Sequence, residues 1–433
     1  MNSRQEEDTG SDISFERPVG GQGGIAGYGR KVFSSFKNPV YRLYYYSLVG
    51  HWAPMQMQMF VGNLLIVRIT GSGSKLGVMA LANSIPMLIL SLYGGALADR
   101  LEKRKILIIS QVASAVISLG VGLALTYNII SEAIPDSWWI LVVSGFFQGI
   151  VMGVMMPSRA SMVPEIVEPR DLMNAISLNN MGMNVFRILA PAATGPIVDN
   201  WSFAAVYYIM TALYIFSTIF LLFIPRKRPT VRQGSTTASE VAEGISYLRT
   251  EKTILLILAF TLCCTILGMP FNFMLPMFTE GVLKVSASSL GLLLAVSGVG
   301  SIIVSLVLAS ISNKHRGIMM LYSGFILSIA LVVFSFNTNW YLALATSAFI
   351  GLGQTGQTAI GFTLIQYYVD PSFRGRVMSF MMLGFGLSSL GTLFAGVLAD
   401  SIGIQLSIGG LAITLALITI MIIVFSSKLR KLD

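Results

Sequence analysis

The sequence predicts an all-α integral membrane protein of about twelve transmembrane helices in two six-helix bundles. Composition, the spacing of apolar runs and an internal repeat carry that prediction. The chain has 433 residues, of which 54% are hydrophobic and 11% charged, and its mean hydropathy is +0.73. A soluble fold of this length cannot hide so much apolar surface inside one core. The bilayer is therefore the expected solvent.

Each spanning helix needs about 20 mostly apolar residues. Apolar runs between charge clusters fall at 43–69, 76–98, 106–127, 138–158, 174–197 and 202–224, then at 253–279, 287–312, 317–336, 340–366, 377–399 and 404–426. Pro225, Pro229 and the Gly-Ser-Thr-Thr run from Gly234 interrupt the series and mark a cytoplasmic linker, 226–252, in which Ser239 can cap a short amphipathic helix. One bundle is thus expected over 41–225 and the other over 253–427. Residues 1–40 read as a disordered cytoplasmic tail, since Glu6, Glu7 and Asp8 mix there with a Gly-rich stretch and no apolar signal core is present. Residues 428–433 form a second short tail.

The formal net charge is +9, and where the basic residues fall explains it. Arg30, Lys31, Lys37 and Arg42 precede the first span; Arg100, Lys103, Arg104 and Lys105 follow the second; Arg159 and Arg170 fall between the fourth and fifth. Arg226, Lys227, Arg228, Arg232, Arg249 and Lys252 fill the middle loop, Lys314 and Arg316 follow span 8, Arg374 and Arg376 precede span 11, and Lys428, Arg430 and Lys431 close the chain. The intervening loops hold only Arg68, Lys75 and Lys284. The positive-inside rule then places both termini and the middle loop in the cytoplasm of a multi-pass protein of the inner (plasma) membrane. The basic excess is topological and gives no reason to expect nucleic acid. Cys263 and Cys264 are adjacent in an apolar span and the chain has two histidines, so no metal site, cofactor or disulfide framework is expected.

Related halves are readable by eye. Leu76-Gly77 matches Leu290-Gly291, and at the same offset Asp99-Arg100 falls on Asn313-Lys314. Val167-Glu168-Pro169 matches Val369-Asp370-Pro371, Ala175-Ile176-Ser177 matches Val377-Met378-Ser379, and Gly195-x-x-x-Asp199 matches Gly396-x-x-x-Asp400. Duplicated halves that rock about a central site are a common plan for transporters.

The segment from Gly95 through Asp99 and Arg100 to Lys103, Arg104 and Lys105 resembles the G-x-x-x-D-[RK]-x-G-[RK]-[RK] loop of major facilitator transporters, with Glu102 where that family usually has Gly. Pro54-x-Gln56-x-Gln58, Leu172-Met-Asn-Ala175 and the entry to span 11 at Arg374-Gly-Arg376-Val377 are similar to the drug and siderophore exporter branch, which includes enterobactin exporters and macrolide efflux proteins. The resemblance implies a secondary active transporter that works by alternating access, exports a small amphipathic drug, siderophore or metabolite, and is driven by proton antiport. It also implies gating by Gly95, Asp99, Arg100, Arg104, Arg374 and Arg376. Physically, Gly95 permits close helix approach, and Asp99 at a helix end can pair with a basic residue or a neighbouring helix N-terminus, holding the cytoplasmic side shut in one state.

Polar residues within the spans are the candidate substrate contacts. In span 1, His51 with Gln58 and Gln56 with Asn63 each lie nearly two turns apart on one face, beside the helix-bending Pro54. His51 lies close to the cytoplasmic end and reads as buried polar packing. Span 5 presents Asn180, Asn184 and Arg187 as one stripe, and a mid-span guanidinium must face protein, water or an anion. Ala190-Pro191-x-x-x-Gly195 resembles a reduced antiporter motif. Span 7 offers Asn272 near Pro270, and span 10 offers Gln354 and Gln357 on the face of Gly361. Methionines around Met55, Met152 and Met378 can line an adaptable pocket. Asp99, Asp199, Glu280, Asp370 and Asp400 all sit near span ends, so no central acid stands out as a proton carrier. Nor is there a set of residues from which an enzyme's active site could be built. The expected partners are a small-molecule substrate, a proton and the bilayer, with the chain monomeric. A lysophospholipid flippase of the same fold, or a non-transporting receptor or scaffold, are the alternatives.

Overall fold

The computed structural model describes residues 34–226, 246–248, 250–311, 315–370, 373–430 and 432, without the side chains of 92–100, 382, 385 and 427. The described residues form twelve long helical rods. In the first half α1 spans Pro39–Thr70, α2 Gly73–Arg100, α3 Lys103–Thr126, α4 Trp138–Ile166, α5 Leu172–Asn200 and α6 Phe203–Leu222. In the second, α7 is interrupted at Met269: Lys252–Gly268 continues as Pro270–Phe278 and ends in a π-helical turn, Thr279–Leu283. There follow α8 Ala287–Ser310, α9 Arg316–Ser335, α10 Trp340–Tyr368, α11 Arg374–Ile402 and α12 Ile404–Phe425.

The helices stand where the apolar runs predict them, and their ends follow from short polar signals. Asn38 accepts from the amides of Val40 and Tyr41 at the start of α1, Ser202 caps α6, Ser286 caps α8 and Asn339 caps α10. Gly71 ends α1 at φ 60°, a left-handed conformation that glycine adopts without penalty. One expectation needs correcting. Pro157 followed by Arg159 suggests that span 4 has ended, yet the helix continues to Ile166 and the Arg159 side chain is buried, 7% exposed. Arg159 is an interior residue and does not contribute to a basic loop. The Ser239 helix, the Gly234 run, most of the N-terminal tail and the Asn313-Lys314 copy lie outside the described residues.

Nine of the rods are long and apolar enough to cross a membrane on length and composition. The other three, α1, α5 and α10, are 32, 29 and 29 residues long, so polarity and not length sets them apart. They carry Gln56, Gln58, Asn63, Asn180, Asn184, Arg187, Gln354 and Gln357. Helices of this kind need protein or water along their polar faces.

Packing repeats from half to half. α2 lies on α4 and α3 on α6 in the first bundle, as α8 lies on α10 and α9 on α12 in the second. The bundles meet through two equivalent seams, α2 with α11 and α5 with α8, with smaller contacts from α7 to α1 and α2.

Candidate functional site

In the first half, Asn63 is buried, Gln56 and Gln58 are half-buried, Asn180 is exposed, and Asn184 and Arg187 are half-buried. Gly182 fixes how α5 lies on α1, because a Cβ there would run into the Trp52 ring. Phe186 continues that contact at 6.5 Å between ring centres. The exposed apolar residues Met181, Val185 and Leu189 occupy a different face of α5 from the Asn180, Asn184 and Arg187 stripe. Arg187 makes no hydrogen bond or ion pair with another described residue.

In the second half the amides are brought together. Asn272 Nδ2 donates to Gln354 Oε1 at 3.4 Å, joining α7 to α10. Thr358 Oγ1 donates to Gln357 Oε1 at 3.4 Å, while Gln357 Nε2 is buried without an acceptor. The shared face of Gln354, Gln357 and Gly361 is turned towards α7, for a Cβ on Gly361 would stand 2.7 Å from Thr261 Oγ1. These amides form a buried interhelical seam, with Gln354 8% and Gln357 1% exposed.

Of the six residues assigned to gating, Gly95, Asp99 and Arg100 close α2, but their side chains lie outside the described set. Arg104 donates from Nε to the Leu221 carbonyl at 3.0 Å and from Nη2 to the Leu222 carbonyl at 2.5 Å, tying the start of α3 to the end of α6. A cation on the last carbonyls of a helix is favourably placed. Glu102 pairs with Lys105 at 3.3 Å, and Lys103 with Glu165. Arg374 Nε reaches the Val369 carbonyl at 3.2 Å, and Arg376 lies over the Phe373 ring at 5.1 Å. Tyr247, from the linker, stacks on that same Phe373 at 4.3 Å.

A seal that the sequence reading did not assign lies at the opposite end of the rods. Asp199, at the end of α5, accepts from the Ala287 and Ser288 amides at 3.1 and 2.8 Å and from Ser288 Oγ at 2.5 Å, so it caps α8 of the other half. Asp400, at the end of α11, accepts from the Gly73 and Ser74 amides at 2.6 and 3.0 Å and from Ser72 Oγ at 2.8 Å, and so caps α2. One turn earlier in each case a glycine lets the backbones touch: a Cβ on Gly195 would stand 2.5 Å from the Ala287 carbonyl, and one on Gly396 would overlap the Gly73 carbonyl. The seams continue inward from Asp199 to Ile188, which meets Gly298, and from Gly73 to Leu88, which meets Gly386. Arg68 and Glu280 add a tie at 3.0 Å between α1 and α7. The repeated Gly-x-x-x-Asp was the visible signal, while the helix start that each aspartate meets is visible only in the fold.

Arg159 is the second unassigned feature. Its Nε, Nη1 and Nη2 are all buried without a hydrogen-bond acceptor. Tyr44 on α1 donates to the Arg159 carbonyl at 3.2 Å. His51 lies against Tyr214 at 6.4 Å between ring centres, and its Nδ1 is likewise unpartnered. His51 is 2% exposed, in keeping with the packing role expected of it.

Compared with known families, the chain matches the Major Facilitator Superfamily over residues 47–317 and 268–431. It is 24% identical over 357 residues to the staphyloferrin A transporter of Staphylococcus aureus (strain NCTC 8325 / PS 47), an overlap of 82% of this chain and 88% of that protein. It is 22% identical over 410 residues to macrolide efflux protein A of Streptococcus pyogenes, covering 91% and 98% respectively. Among solved structures, that of the nucleoside transporter NupG superposes with a TM-score of 0.72 at 13% identity, over 90% of this chain and 100% of that one, which is a likeness of fold.

Proposed function

The chain belongs to the major facilitator superfamily, a family of membrane transporters and not of enzymes, and on that premise we propose that it is a secondary active exporter of a small amphipathic compound. It works by alternating access with proton antiport. The observation that carries this reading is the paired seal, in which two equivalent seams between the halves close one end of the molecule with the same Gly-x-x-x-Asp device. Rocking of one half on the other would open both seams together. Likeness to the staphyloferrin A transporter and macrolide efflux protein A supports export. With the basic loops in the cytoplasm the seal would lie on the outer side, and the arrangement would be an inward-facing state. The substrate would enter from the cytoplasm to meet Gln56, Gln58, Asn63, Asn180, Asn184 and Arg187 of one half and Asn272, Gln354 and Gln357 of the other. Gly95, Asp99, Arg100, Arg104, Arg374 and Arg376 would govern the cytoplasmic gate.

Two measurements test this. Inverted vesicles carrying the protein should accumulate labelled drugs or siderophores from a small panel faster than vesicles without it, and a proton gradient should increase the rate. Lack of accumulation of any compound, with or without the gradient, contradicts the proposal. A single cysteine near Ser131 or Asn337 should react with an impermeant thiol reagent from outside intact cells, whereas one near Ser235 should not. Labelling at Ser235 reverses the orientation.

A further inference from the structure

We infer, on the reading of this chain as an exporter, that its substrate carries a negative charge, a carboxylate or similar oxyanion, and that Arg187 holds it. Every carboxylate with a described side chain sits near a helix end or in a loop, and those along the seal are engaged: Asp199 caps α8, Asp400 caps α2 and Glu280 pairs with Arg68. None lies in the middle of a rod. Two guanidiniums do lie inside rods, Arg159 in α4 and Arg187 in α5, and neither has an acidic partner among the described residues. The interior of the first half therefore carries uncompensated positive charge between low-dielectric walls, which focus its field on whatever enters.

The two arginines differ in what they can reach. Arg159 is enclosed, whereas Arg187 is half-buried. Arg187 lies just below the point where the seam to α8 begins, at Ile188 against Gly298. It is the innermost member of a stripe whose other members, Asn180 and Asn184, are neutral donors and acceptors. A planar guanidinium without an internal acid, flanked by amides and placed under a closed gate, is built to take an oxyanion from a molecule arriving from the open side. A cation there would meet like charge with nothing to offset it. The equivalent position in the repeat, at the offset that relates Asp199 to Asp400, is Ser388, so the charge belongs to one half only and would orient the substrate.

The test uses three dansyl compounds on the full-length protein: dansyl-aminohexanoate, its carboxamide, and the corresponding dansyl-hexanediamine. Binding in detergent is read from dansyl fluorescence, and movement is followed in proteoliposomes under a proton gradient. The carboxylate should bind about ten-fold tighter than either companion, the scale of one charge-assisted contact. Arg187→Gln should bring the carboxylate to within about two-fold of the carboxamide, and Arg187→Lys should fall between. Equal wild-type affinity for all three, preference for the amine, binding of none, or a carboxylate preference that survives Arg187→Gln would each overturn the inference. Should the Gln variant not fold, the wild-type series and Arg187→Lys decide the matter, since a Lys variant with undiminished carboxylate affinity contradicts the planar contact. Movement of all three compounds without charge preference leaves export standing and removes only the anion. If none moves under the gradient, the export reading fails, and this inference with it.

Discussion

At Asp199 and Asp400 a single carboxylate joins the two halves, because each accepts from two backbone amides and a serine hydroxyl at the start of a helix in the opposite half. Such a cap is worth about 1 kcal/mol, and the charge adds to it through the helix dipole. Asp400→Ala should therefore shift the equilibrium about five-fold towards the state open at that end. With Cys263 and Cys264 replaced by alanine, a cysteine at Asn184 should react correspondingly faster with an impermeant reagent from outside. Unchanged reactivity would remove Asp400 from the gate. Arg159 calls for the opposite kind of prediction. A buried charge without an acceptor is costly, and an apolar replacement of similar volume removes that desolvation penalty. Arg159→Met should keep or raise the melting temperature in detergent, and a large drop would show that the guanidinium has a counter-group in the folded protein. The sequence revealed both residue types but neither environment. The aspartates were legible as a repeat and Arg159 as a basic residue near a proline, and only long-range packing turns them into a cap and a buried cation.

The rods themselves were legible because a lipid-facing helix must be apolar for about 20 residues, and charge clusters bound each run. In α4 a proline and an arginine imitate a helix end, yet Pro157 and Pro164 both lie inside the helix. The polar character of α1, α5 and α10 was legible too. Which neighbour each stripe faces was not: Gln354 bonds Asn272 of α7, whereas Gln357 accepts from Thr358 of its own helix. Close approach of α2 to α11 depends on the absence of a side chain at Gly396. Gly396→Val must push the two backbones apart, so the seal at that end should fail and transport fall by about ten-fold or more, as expected of a packing conflict costing roughly 1–3 kcal/mol. Each half should still fold, because the contact lies between halves. Gly410, where an added methyl group would meet nothing within 4 Å, provides the control: Gly410→Ala should transport normally. Equal behaviour of the two variants would contradict the role given to the seam.

Across the whole molecule, two halves of the same plan meet along two equivalent seams, and the same end of both is closed by the same device. The halves were visible in the sequence as matched segments; that their contact is concentrated in α2 with α11 and α5 with α8 is a property of the assembled fold. The central claim is that this contact must break and re-form in every transport cycle. Asp199 and Ser288 touch across it at 2.5 Å. With Cys263 and Cys264 replaced by alanine, the pair Asp199→Cys and Ser288→Cys can be oxidised to join α5 to α8, and export of a compound that the protein carries is then followed in the same preparation before and after reduction. Export should stop when the cross-link is complete and return when it is reduced. Export that continues through a fully cross-linked protein would contradict alternating access at this seal.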